Sequence, residues 1–226
     1  MTRIRIKMCG VTRIADAQAA VAAGVDALGF IFHRKSGRNI DPDRARAIIE
    51  QLPPFIATVG VFVDKKRHEV EEIIDYCRLA YAQLHGRETP KYCERLARFG
   101  APCQVIKAFQ VTPELAPEDI RPYDEHVRGY LLDTYHQQMV GGTGETFDWD
   151  LIGKLKLNRP LLLAGGLKPG NILAALNAVR PYAVDVNSGL EIQPGIKDHS
   201  LIKSLVSRVR SYENTINGDL EGIKTP

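Results

Sequence analysis

Short apolar runs recur along the chain, and between them lie longer stretches whose apolar residues return at helical spacing. The runs Ile4–Cys9, Ala27–Phe32, Ile56–Val63, Tyr81–His85, Gln104–Phe109, Val127–Asp133, Leu161–Ala164 and Ala183–Val186 predict eight strands. Ala15–Ala23, Asp43–Gln51, Lys66–Arg78, Pro90–Phe99, Leu173–Val179 and Ser200–Arg210 predict amphipathic helices between and after them. The segment Thr112–Tyr123 carries three prolines, so the helix after strand five is expected to be weak or missing.

Alternating strands and helices suit either a closed parallel (β/α)8 barrel or an open doubly wound sheet. Closure is favoured because polar and glycine-rich positions stand at the C-terminal ends of strands from first to last, and only a ring gathers them at one mouth. Nor does a Gly-x-Gly-x-x-Gly turn follow the first strand, where an open dinucleotide-binding sheet would carry it. The expectation is an α/β chain forming a single TIM barrel over residues 1–211, with a polar, frayed tail over residues 212–226.

Composition narrows the partners. The formal net charge is +3 and the basic residues are scattered, so no nucleic-acid footprint is expected, while a small phosphorylated ligand stays open. The four cysteines (Cys9, Cys77, Cys93, Cys103) form no Cys-x-x-Cys pair and have no zinc-type His spacing, so no metal site is expected. The N-terminal residues lack the apolar core of a signal peptide, and no run approaches the ~18 apolar residues of a membrane span. These features predict a soluble, cytoplasmic protein with reduced thiols, monomeric or homodimeric.

The first strand alternates strictly, with Ile4, Ile6 and Met8 on one face and Arg5, Lys7 and Cys9 on the other. In a barrel the apolar face meets the helices, so Lys7 and Cys9 point inward together. An ammonium near a thiol lowers its pKa and favours the thiolate, which makes Cys9 a candidate general base. Read alone, a small buried cysteine is the simpler account. Asp133 ends strand six in Leu131-Leu132-Asp133-Thr134, where aspartate is disfavoured within a strand but can project into the mouth as an acid. A capping role is the alternative.

Gly165-Gly166-Leu167 and Asn187-Ser188-Gly189 follow strands seven and eight, where barrels commonly cradle phosphate on backbone N–H groups. Arg38 lies in a basic loop after strand two and can grip a carboxylate bidentately, although Arg34 and Lys35 compete for that role. His85 ends strand four, as a rim residue or a functional one. Gly141–Gly144, with Phe147-Asp148-Trp149, forms a glycine-rich loop after Asp133.

Taken in order, several segments resemble the phosphoribosylanthranilate isomerase family. They are Lys7-Met8-Cys9-Gly10-Val11-Thr12, Gly29–Phe32 with Ser36 and Arg38, Gly60–Val63, Gln83–Gly86, Leu132-Asp133, the Gly141–Gly144 block, Ala164–Leu167 and Asp185–Gly189. The resemblance implies a cofactor-free, metal-free barrel catalysing an Amadori rearrangement in tryptophan biosynthesis. It implies Asp133 as general acid and Cys9 as general base. Arg38 would hold the anthranilate carboxylate, and Gly165, Gly166, Ser188 and Gly189 the phosphate. Lys7, His85 and Asp185 would be further substrate-binding positions.

Three positions depart from the family pattern: Gly37 replaces a common proline, Asn187 a serine and Glu145 a lysine. They imply a more mobile, less pre-set Arg38, an altered hydrogen-bond partner near the sugar or phosphate, and a local negative charge. The residues alone leave two rivals, another sugar-phosphate isomerase or epimerase and a non-catalytic phosphate-ligand barrel.

Overall fold

A computed structural model describes residues 3–99, 103–134 and 149–221. Eight parallel strands close into a barrel in sequence order: β1 (Arg5–Met8), β2 (Ala27–Ile31), β3 (Ala57–Phe62), β4 (Tyr81–Leu84), β5 (Gln104–Gln110), β6 (Gly129–Asp133), β7 (Leu161–Ala164) and β8 (Ala183–Val186). Closure occurs where β1 pairs with β8, with Lys7 opposite Asp185. That register later decides the chemistry of the mouth.

Around the ring run α1 (Ile14–Ala23), α2 (Pro42–Ile49), α3 (Arg67–Cys77), α4 (Pro90–Ala97), α5 (Pro117–Ile120), α6 (Asp150–Lys154), α7 (Ile172–Val179) and α8 (His199–Glu221). Local sequence sets their ends. The Asp41 and Thr89 side chains accept from the backbone N–H groups of Asp43 and Tyr92, with Pro42 and Pro90 in the first turns of α2 and α4. Gly24 closes α1 in the left-handed region at φ 95°. The unit after β5 is as broken as its prolines imply: α5 is one turn, followed by a 3-10 turn over Arg121–Tyr123.

The alternation of the strands divides the core. Ile6, Met8, Leu28, Phe30, Phe62, Leu84, Leu132 and Leu163 pack outward against the helices. Ile106, Ala108, Leu131, Leu162, Ala164 and Ala183 fill the barrel interior. Above them, towards the C-terminal mouth, lies a small cluster of Cys9, Ile31 and Val61.

Helix α6 follows β6, as a (β/α)8 barrel requires, in a stretch the sequence reading had not singled out. Two features depart from the sequence expectation. A two-stranded antiparallel hairpin, β9 (Glu191–Gln193) and β10 (Ile196–Lys197), is inserted after β8. Helix α8 runs on to Glu221, so most of the expected frayed tail is helical. The buried Glu213 carboxylate explains part of this, because it accepts from the Ile4 N–H and the Arg210 guanidinium and ties the helix to the base of β1. Among the described residues, no helix is long and apolar enough to cross a membrane.

Candidate active site

The β1–β8 register sets Lys7 beside Asp185, and the Lys7 Nζ lies 2.7 Å from Asp185 Oδ2 with both side chains buried. Cys9 sits one layer higher on the same face. Space for both comes from Gly29 on β2, since a Cβ there would stand 2.8 Å from Cys9 Sγ and 3.0 Å from Lys7 Nζ. Burial opposes the Lys7 charge, but Asp185 and Cys9 together hold its pKa above the ordinary lysine value.

The direction expected for Cys9 is reversed. Burial pushes the thiol up, Lys7 pulls it down and Asp185 pushes it up again, and the net shift is upward. Sequence showed the ammonium but not the carboxylate already paired with it. Gln83 Oε1 and Asp185 Oδ1 are buried without a hydrogen bond among the described residues, an energetic cost borne close to Cys9.

Asp133 ends β6 partly exposed, with His85 Nε2 3.5 Å from its Oδ2. Gln83 Nε2 lies 3.2 Å from His85 Nδ1. When that amide donates, a neutral imidazole carries its proton on Nε2, facing Asp133. Thr134 Oγ1 donates to Ala164 O at 3.0 Å and to Gly165 O at 3.2 Å, tying the end of β6 to the glycine turn after β7. Gly141–Gly144, Glu145, Phe147 and Asp148 lie outside the described residues.

In the β7 turn, Gly165 and Gly166 adopt φ of 98° and 61°, which favours glycine. A Cβ on Gly189 would fall 1.9 Å from Leu167 O, so this glycine lets the β8 loop press against the β7 loop. Arg38 reaches the mouth from the loop after β2, its guanidinium held bidentately by Glu191 with Nη2 2.7 Å from Oε2. The substitution of Gly37 for proline therefore does not leave Arg38 unset. Its Nε edge is fixed by a residue on the hairpin. The other departure, Asn187, accepts at Oδ1 from Lys197 Nζ at 2.9 Å.

Cys9, Arg38, His85, Asp133, Gly165, Gly166, Asp185 and Ser188 all line one cavity of about 410 Å³ at the C-terminal mouth. Lys7 and Gly189 are not on its lining. A more open hollow of about 710 Å³ shares His85 and Asp133 with it. A further cavity of about 310 Å³ opens at the opposite end of the barrel and has neither Cys9 nor Asp133 on its wall.

Sequence reasoning missed Glu191 and Lys197, which look like solvated loop charges. It also missed the buried Lys107–Glu88 pair, 3.3 Å apart. Lys107 Nζ donates to the carbonyls of Leu84 and Gly86 at 3.1 and 2.8 Å, and Glu88 accepts from the backbone N–H groups of Asp64 and Gly86. Together they brace the turn that carries His85. A lysine inside a strand and a glutamate near a helix start were the only sequence signals.

A family model for N-(5'-phosphoribosyl)anthranilate (PRA) isomerase matches residues 6–208. The chain is 48% identical to an N-(5'-phosphoribosyl)anthranilate isomerase of Pseudomonas fluorescens (strain SBW25), over 93% of this chain and 98% of that one. It is also similar to the crystal structure of phosphoribosyl anthranilate isomerase from Thermus thermophilus. There the TM-score is 0.80 at 40% identity, covering 92% of this chain and 99% of the other. A solved phosphoribosyl anthranilate isomerase in complex with reduced 1-(o-carboxyphenylamino)-1-deoxyribulose 5-phosphate aligns at TM-score 0.78 and 39% identity, covering 92% and 99%. With this sequence match over most of the chain, and the same closed barrel, the protein belongs to the N-(5'-phosphoribosyl)anthranilate isomerase family.

Proposed function

We propose that this chain isomerises N-(5'-phosphoribosyl)anthranilate to 1-(2-carboxyphenylamino)-1-deoxyribulose 5-phosphate, with Asp133 as general acid and Cys9 as general base. Asp133 protonates the furanose oxygen and the ring opens to a Schiff base. Cys9, as thiolate, removes the C2' proton, and the resulting enolamine tautomerises to the ketone. Lys7 and Asp185 hold the charge balance beneath the thiol, and His85 keeps a donor against Asp133. The observation that carries the reading is that Cys9 and Asp133, from separate strands, line one cavity with an arginine and two glycine-bearing turns on its wall.

The anions of the substrate fit the remaining wall. Arg38 takes the anthranilate carboxylate, and the turns at Gly165-Gly166 and Ser188-Gly189 take the phosphate; the compound bound by the solved relative carries both groups. All these groups fall within the barrel domain proposed for residues 1–211, in an enzyme we place in the cytoplasm. The test is loss of PRA fluorescence on addition of purified protein. First-order loss proportional to enzyme is expected, and no loss above the uncatalysed rate would contradict the assignment.

Arg38→Ala is expected to raise KM at least tenfold with kcat changed much less, because a carboxylate clamp acts on ground and transition states alike. An unchanged KM would remove Arg38 from that role. The pH profile follows from the direction of the Cys9 shift. The reactive form needs Asp133 protonated and Cys9 ionised, so kcat/KM falls once both have lost their protons. With the thiol raised, that alkaline fall is expected only above the ordinary thiol value of 9.0. A fall near neutrality would mean that the thiol is depressed instead.

A further inference from the structure

We infer that Glu191 and Lys197 of the β9–β10 hairpin form a charge-balanced bracket that aims Arg38 at the substrate carboxylate, which makes Glu191 a positioning residue for substrate recognition. The inference rests on the carboxylate-clamp reading of Arg38 given above.

A guanidinium can grip carboxylates along two edges, Nε with one Nη, and Nη1 with Nη2. Glu191 takes the first. Arg38 Nε lies 3.0 Å from both carboxylate oxygens and Nη2 lies 2.7 Å from Oε2. The second edge keeps Nη1, for which the described residues supply no acceptor, on a side chain that lines the cavity with Cys9 and Asp133. One carboxylate of the protein thus orients the fork, and its open edge can meet a second carboxylate from the ligand. The stem is fixed as well. Gly10, at φ +74°, leaves room where a Cβ would stand 2.9 Å from Arg38 Cδ and 2.6 Å from Asn187 Oδ1.

Charge requires a third partner. A bare glutamate at this wall would cancel the arginine and repel an anionic substrate. Lys197 Nζ lies 2.9 Å from Glu191 Oε1, fully buried, so the three groups together keep one positive charge for the incoming anion. The hairpin is anchored at both ends, with only Ile192, Gln193 and Pro194 at its tip exposed. Lys197 N donates to Asp16 Oδ2 at 3.2 Å, Gly195 N to Glu191 Oε1 at 3.2 Å, and Thr12 Oγ1 to Gly195 O. Burial works against the Glu191 charge, yet the bonds from Arg38 and Lys197 hold its carboxyl below the usual range, so it stays ionised at neutral pH.

The test measures kcat and KM for wild type, Glu191→Gln, Arg38→Ala and the double variant. Two substrates are used, PRA and N-(5'-phosphoribosyl)aniline, which lacks the carboxylate. Glu191→Gln is expected to raise KM for PRA about tenfold with kcat within about twofold, and to leave KM for the aniline substrate unchanged. The double variant should match Arg38→Ala alone, since both act through one contact. Lys197→Met, which leaves Glu191 uncompensated, should raise KM more for PRA than for the aniline substrate, which feels only the loss of the Lys197 bonds to Asn187 beside the phosphate turn. A role confined to holding the hairpin would lower the thermal midpoint and shift both substrates equally, which overturns the inference. An unchanged or lowered KM in Glu191→Gln, with Arg38→Ala impaired, overturns it while sparing the clamp. An unchanged KM in Arg38→Ala removes both.

Discussion

Asp133→Asn is expected to lower kcat by about 10²–10⁴-fold, the usual contribution of one positioned proton-transfer group, with little change in thermal midpoint. The amide matches the carboxyl in shape and keeps a contact for His85 Nε2, now 3.5 Å from Asp133 Oδ2. What it lacks is a proton that can be delivered to the furanose oxygen and later recovered. Because the side chain is partly exposed at the end of β6, the exchange leaves no buried charge or cavity behind. Stopped-flow fluorescence of PRA under single-turnover conditions measures the effect. A rate within about threefold of wild type would assign the acid elsewhere.

Cys9→Ala should cost about as much, again on the order of 10²–10⁴-fold in kcat, and Cys9→Ser nearly as much, because an alcohol is far harder to ionise than a thiol. The upward shift of the Cys9 thiol makes the thiolate scarce but also a stronger base once formed. Cys9 is supported from below by the Lys7–Asp185 pair and given space by Gly29, so its replacement by alanine removes one sulfur and one partner of Lys7 while the Lys7–Asp185 bond stays in place. Circular dichroism of both variants separates loss of chemistry from loss of fold. Retention of near wild-type kcat in Cys9→Ala would end its assignment as base.

The eight strands were legible because their apolar runs are short, bounded and regularly spaced, and the Asp133 and Gly165-Gly166 positions could be placed at strand ends by counting. Other features left no periodic trace. The β9–β10 hairpin has strands of three and two residues, too short for alternation to show, and its Pro194-Gly195 centre reads as an ordinary turn. Glu191 looks like a surface charge in sequence because its partner Arg38 comes from the loop after β2, and Lys197 because it meets Glu191 and Asn187 only when the hairpin folds back. The extension of α8 was hidden by its polar composition. Glu213 is buried only because β1 begins beside it. The pKa direction of Cys9 was missed for a similar reason: Lys7 is a neighbour in sequence, whereas Asp185 becomes one only when β1 closes onto β8.

Trapping of the open-chain intermediate separates the role of Asp133 from that of Cys9. Each variant is mixed with PRA, quenched with borodeuteride and analysed by fragment mass for deuterium at C1, which marks the reduced open-chain imine, whereas the reduced ketone product is the same alditol labelled at C2; a control without enzyme is run alongside. Cys9→Ala is expected to accumulate the C1-labelled adduct, because Asp133 still opens the ring while the C2' proton stays in place, and Asp133→Asn is expected not to exceed the control. Accumulation in Asp133→Asn but not in Cys9→Ala would contradict this assignment of acid and base.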